Sequence, residues 1–146
     1  MSKVVDYLRS LGLKELEVKQ PRRYVFEVSP DRLREVISGV IKVSPQTYVS
    51  AISGVDYINE GVIEVNYCLW VIEGKVMVVL KVRVPRDSPK VPTIYDLIPG
   101  ALNSELEAYD LVGVVFEGND KLRRGFLAPP EIASQNVFPL RKDFKV

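Results

Sequence analysis

Residues 62–84, VIEVNYCLWVIEGKVMVVLKVRV, alternate apolar and polar positions twice, once on each side of Glu73-Gly74-Lys75. In the first arm Ile63, Val65, Tyr67, Leu69 and Val71 share one face, with Glu64, Asn66 and Cys68 opposite. In the second, Val76, Val78, Leu80, Val82 and Val84 share a face, and Lys81 and Arg83 lie on the other. A period of two is the mark of a half-buried strand, and the glycine turn joins the arms into a hairpin. Residues 47–56, rich in Thr, Tyr, Val and Ile, read as a preceding strand, so the centre of the chain predicts an antiparallel meander. Such a sheet must bury one face, and something apolar must cover it.

The cover is available upstream. In SPDRLREVISGVIK (29–42), Ser29 suits the cap, Pro30 the first helical position and Asp31 the positively polarised first turn. Leu33, Val36, Ile37, Val40 and Ile41 then recur at helical spacing. Val4, Val5, Leu8 and Leu11 do the same from Ser2, with Gly12 as a stop. Between the two helices Tyr24 to Val28 reads as a further strand. The fold class expected is α+β: an antiparallel β-meander covered by amphipathic helices. Residues 85–100, PRDSPKVPTIYDLIPG, hold four prolines and are expected to be extended connector. A short helix is expected over 101–109, a strand over 111–116, and turns beyond Gly118. One domain, 1–146, is expected, with an α+β body over 1–84 and an extended, Pro-rich, partner-binding segment over 85–146.

Composition narrows the function. Twenty basic against 19 acidic residues argue against nucleic-acid binding by net charge. No apolar run reaches the roughly 20 residues that span a bilayer, so any membrane association is expected to run through partners. The first residues, MSKVVDYLRSLGL, lack the pattern of a secretory signal, which places the chain in the cytoplasm. With no histidine and a single cysteine, Cys68, histidine-based catalysis and cysteine-cluster metal sites are excluded for this chain alone. Cys68 sits at an alternating strand position and reads as a structural thiol.

Three groups of charge remain: Glu105, Glu107 and Asp110; Arg123 and Arg124; Arg141, Lys142 and Asp143. Each is embedded in apolar residues, as in PLRKDF (139–144), where solvated charge runs are usually not. Guanidinium groups meeting carboxylates amid apolar contact are typical of intersubunit surfaces, so the last third reads as a docking strap whose counter-charges lie on other polypeptides. Glu107 and Asp110 share a helix face, which leaves a stand-alone carboxylate enzyme as a rival, and a generic interaction module as another.

SELEAYDLVGVVFEGNDKLRRGFL (104–127) followed by PLRKDF resembles the signature of the 30-kilodalton subunit, also called the C subunit, of respiratory complex I, NADH dehydrogenase. Glu105, Glu107, Tyr109, Asp110, Gly113, Phe116, Gly118, Leu122, Arg123, Arg124 and the whole of 139–144 match it; SGVDY (53–57) and VPTIYDLIPGA (91–101) fit upstream. Leu106 stands where the family usually has arginine, and Asn119-Asp120 where it has His-Pro. Those departures, with the short chain, lean toward the related subunit of energy-converting membrane-bound nickel-iron hydrogenases, with complex I itself as the alternative. The resemblance implies a cofactor-free brace in a hydrophilic arm, on the cytoplasmic side of the membrane. Its partners would be a large hydrogenase-like catalytic subunit and a small iron-sulfur subunit, which hold the iron-sulfur clusters and any nickel-iron centre. On that reading Glu105, Glu107, Tyr109, Asp110, Arg123, Arg124, Arg141, Lys142 and Asp143 form the subunit interface, and no catalytic or metal-binding residue belongs to this chain.

Overall fold

The structure, a computed structural model, describes residues 2–145. Helix α1 (Lys3–Ser10) starts where the Ser2 hydroxyl accepts from the Val5 amide, satisfying one of the free donors of the first turn. It is followed by strands β1 (Lys14–Leu16) and β2 (Arg23–Glu27). A 3₁₀ turn at Pro30–Arg32 opens into helix α2 (Leu33–Val43), whose Leu33, Val36, Ile37 and Val40 are fully buried. Each such side chain contributes about 1.5–3 kcal/mol of apolar burial.

Strands β3 (Thr47–Tyr57), β4 (Val62–Val71) and β5 (Val76–Pro85) form the expected meander. Their inward positions, Ile63 to Val71 and Val76 to Val84 at every second residue, are the buried ones, and with α1 and α2 they build the core. The sheet is five strands wide, in the order β1-β2-β5-β4-β3. One pairing departs from the antiparallel expectation: β2 runs parallel to β5, with Val25 opposite Val79. The α2 crossover between β2 and the meander permits this, because it returns the chain to start β3 in the direction that leaves β5 alongside β2.

The segment from Pro85 onward is folded onto the body rather than extended. Strand β6 (Lys90–Pro92) pairs in parallel with β7 (Val115–Glu117). Helix α3 (Leu102–Val112) runs three residues further than expected, so the anticipated strand over 111–116 shrinks to β7. The helix ends at Gly113, whose backbone is left-handed (φ 87°) and whose N–H reaches the Ala108 and Tyr109 carbonyls. A β-carbon at Gly113 would lie 2.9 Å from both Arg141 Nη2 and the Phe138 ring, so the tail packs directly over this turn. Helix α4 (Pro130–Ala133) is one turn within the final loops. No helix among the described residues is long and apolar enough to cross a membrane.

Candidate functional site

Three buried carboxylates tie the chain between Pro85 and Phe144 together. Each satisfies its oxygens with groups brought from distant parts of the chain, as a buried charge requires.

Asp110, on α3, is fully buried. Its Oδ1 accepts from Arg124 Nε (3.0 Å) and the Gly125 amide (2.8 Å), and its Oδ2 from the Leu127 and Ala128 amides (2.7 Å each). Burial opposes ionisation, but these four donors outweigh it and hold the carboxyl down to about 2. Arg124 also donates from Nη1 to the Gln135 carbonyl (3.0 Å) and from Nη2 to the Val137 carbonyl (2.7 Å), and its guanidinium lies 4.4 Å from the Phe138 ring centre.

Asp56 closes the far end of β3. Arg86 grips it bidentately (2.6 and 3.0 Å), and the Lys142 amide donates to Oδ2 (2.8 Å). Arg86 also reaches Asp143 (2.9 Å), so one guanidinium holds the body and the tail together. The hydrogen bonds from Arg86 dominate and hold Asp56 below the usual carboxylate range. Arg141 completes the clasp by donating from Nε to the Val112 carbonyl (2.7 Å), a cation placed on the free carbonyls at the negative end of α3.

Glu105 is different: it is fully buried without a cation. Thr93 Oγ (2.5 Å) and Asn119 Nδ2 (2.9 Å) donate to Oε1, and the Ile94 amide (2.8 Å) to Oε2. Burial is the larger effect and raises its carboxyl above the usual range. The Tyr67 hydroxyl, also buried, has no hydrogen-bond partner among the described residues. The contrast gives an expected result. Glu105→Gln should lower the unfolding free energy by about 1–3 kcal/mol, because an amide meets these three donors with a single acceptor oxygen, and by less than an Asp110 variant because no cation is left unpaired. Urea unfolding checks it, and a loss matching that of an Asp110 variant would show that Glu105 needs its charge.

The sequence-based candidates thus divide. Glu105, Asp110, Arg124, Arg141 and Asp143 meet partners within this chain, and this corrects the expectation that their counter-groups lie on other polypeptides. The expectation failed because a fold places residues 56, 86 and 93 beside them, and nothing local in the sequence announces that. Tyr109 is half-buried against the core. Glu107, Arg123 and Lys142 are exposed, with Arg123 over Phe126. Asp110 has both oxygens filled and Glu107 faces solvent, so the two do not form a general acid-base pair. Asp56, Arg86, Thr93 and Asn119 were not among the expected site residues, although SGVDY, VPTIYDLIPGA and Asn119 entered the family comparison. The inward alternation of Ile52, Gly54 and Asp56 was the available signal for Asp56. No cluster of three or more His, Cys, Asp or Glu that could hold a metal occurs among the described residues.

Locking these hubs presents an outer surface. Leu127 and Leu140 are more than half exposed, and Val137 over a third, in the same stretch of chain as the exposed cations Arg123 and Lys142. Large apolar groups in that state mark protein contact surfaces.

Residues 26–146 match the family described as respiratory-chain NADH dehydrogenase, 30 Kd subunit. The C subunit of the NADH-quinone oxidoreductase of Moorella thermoacetica is 33% identical over 82% of this chain and 78% of its own length. The C subunit of the F(420)H(2) dehydrogenase of Methanosarcina mazei is 30% identical over 92% of this chain and 83% of its own. Among solved structures, a chain of the membrane-bound sulfane sulfur reductase, an archaeal respiratory membrane complex, superposes with a TM-score of 0.80. That likeness is 27% identical and covers 99% of this chain and 86% of the other.

Proposed function

We propose, from the premise that this chain belongs to the family of the 30-kilodalton subunit of respiratory-chain NADH dehydrogenase, that it is a cofactor-free brace between redox subunits. It is a complex I-type 30-kilodalton subunit of a membrane-bound oxidoreductase. Its work is to fix the separation of a large catalytic subunit and a small iron-sulfur subunit, which carry the redox centres. The observation that carries this reading is the set of carboxylate hubs. They hold the turn-rich segment after Gly118, where Ala128 is the buried apolar residue among those described, in one shape, and that shape shows apolar and cationic side chains outward. A rigid spacer between electron-transfer partners needs this combination of internal fixation and external adhesion.

The hydrogenase-type assignment favoured by the sequence departures has less support than its alternative. The relatives named above belong to an NADH-quinone oxidoreductase, an F(420)H(2) dehydrogenase and a sulfane sulfur reductase. We therefore place the chain with the respiratory oxidoreductases, in a peripheral position held to the membrane by its partners.

Leu127→Glu together with Leu140→Glu tests the reading. Both side chains project from the surface, so the isolated subunit should melt like the parent, while recovery of the large and iron-sulfur subunits on a tagged copy from membranes should fall at least tenfold. Unchanged recovery of both partners overturns it.

A further inference from the structure

The outer face of the five-stranded sheet, turned away from α1, α2 and α3, is chemically divided. At one end its charges answer one another. Lys81 donates to Glu64 (2.9 Å) and Asn66 (3.2 Å), Arg83 donates to Glu64 (3.2 Å), and Lys14 stands 3.9 Å from Glu27. At the other end the strand register aligns Tyr48, Trp70, Met77 and Arg23 in one row across β3, β4, β5 and β2. Tyr48 is 54% exposed, Trp70 37% and the neighbouring Ile72 42%, the concentration of exposed aromatic and apolar groups on this face.

Arg22, Arg23 and Lys75 surround Trp70 and Met77. Arg22 makes one long contact to the Gly74 carbonyl (3.5 Å), and none of the three forms a salt bridge among the described residues. The same sheet face therefore neutralises its charges where it is polar and leaves three cations unanswered where it is apolar. That difference is charge complementarity awaiting a partner.

We propose that this end of the outer face docks an acidic amphipathic helix of a neighbouring subunit. The helix sets its apolar stripe on Tyr48, Trp70 and Met77, and its flanking carboxylates on Arg22, Arg23 and Lys75. A row across four strands spans about 14 Å, which matches a helix of about 10–12 Å diameter lying on it. Tryptophan, tyrosine, methionine and arginine are the side chains enriched at such contacts. This surface is distinct from the one around Leu127 and Leu140, and the inference rests on the brace reading above.

The test replaces Tyr48 with p-benzoylphenylalanine in a tagged chain within its assembled membrane complex, and Leu140 in a parallel sample. Irradiation and mass spectrometry locate the adducts. Position 48 is expected to join a helical segment of net negative charge in another subunit. Combining Arg22→Glu, Arg23→Glu and Lys75→Glu should lower that yield at least tenfold and leave the adduct from position 140 unchanged. If the triple reversal alters the circular dichroism of the subunit, Arg23→Glu alone serves, with a smaller expected fall of about threefold. An adduct at 48 with lipid, with a second copy of this chain, or with a neutral or basic segment overturns the proposal. So does no adduct at 48 while position 140 still crosslinks. Binding of the isolated chain to vesicles of equal phosphatidylglycerol and phosphatidylcholine, lost on the same reversal, also overturns it. Failure of both positions to reach any other subunit removes the brace reading as well.

Discussion

Asp110→Asn lowers the unfolding free energy of the subunit by about 3–5 kcal/mol, the range found when one partner of a buried ion pair is removed. Four donors converge on the Asp110 oxygens, and an amide can offer only one of the two acceptor sites while pushing an NH₂ toward amides that also donate. A loss of that size is a large part of a typical domain's 5–15 kcal/mol, so a urea titration will show it as a shifted midpoint. The same carboxyl sets part of the acid response. Its value falls from 3.8 to about 2 on folding, so the stability it contributes is present above pH 4 and drains away as pH falls through the folded value. That contribution is about 2 kcal/mol. Asp56 titrates with the same sign, whereas Glu105, raised by burial, works against both: it favours the fold when protonated. The Asn variant should therefore show a flatter acid limb between pH 4 and 2 than the parent. A midpoint within about 1 kcal/mol of the parent, or an unchanged acid limb, contradicts the role assigned to Asp110.

Arg86→Ala is expected to cost a similar 3–5 kcal/mol, because it strips both side-chain donors from the fully buried Asp56 and leaves that charge with the Lys142 amide alone. Arg86→Lys keeps the charge but not the fork, and should recover only part of the loss. Asp143→Ala removes an exposed partner of the same guanidinium and should cost under about 1 kcal/mol. Hydrogen exchange gives a local readout. The Lys142 amide is protected by Asp56 in the parent and should exchange at least tenfold faster in Arg86→Ala, while the β4 and β5 amides change only with global stability. Equal costs for Arg86→Ala and Asp143→Ala would show that the contact with Asp56 contributes little.

What was readable in the sequence follows the range of the forces involved. Alternation in β4 and β5 and the stripe of α2 are local, and the structure has them where the pattern put them. The extent of α3 was misjudged because Leu111 and Val112 belong to an apolar run that fits a helix or a strand equally, and only the left-handed Gly113 decides between them. The charge clusters were picked out correctly as unusual, since Asp110, Arg124 and Arg141 sit among apolar residues. The pairing was not legible: Asp110 and Arg124, both singled out, meet each other across 14 positions, while the tail's Lys142 amide and Asp143 meet Asp56 and Arg86 across 86 and 57, distances over which no pattern carries information. The resemblance built on residues 104–144 matched the family because it used that run as a whole and did not depend on where each charge finds its counterpart.

The parallel pairing of β2 with β5 also constrains the order of events during synthesis. Residue 25 must wait for residue 79 to leave the ribosome before it gains its neighbour. At about 5–20 residues per second that delay lasts several seconds. Throughout it, β2 is flanked only by the three-residue β1, so its other edge stands open to any stray strand. Newly made chains are thus most vulnerable to aggregation early, before their own fifth strand fills the gap, and a holding chaperone would act most usefully on the first third of the polypeptide.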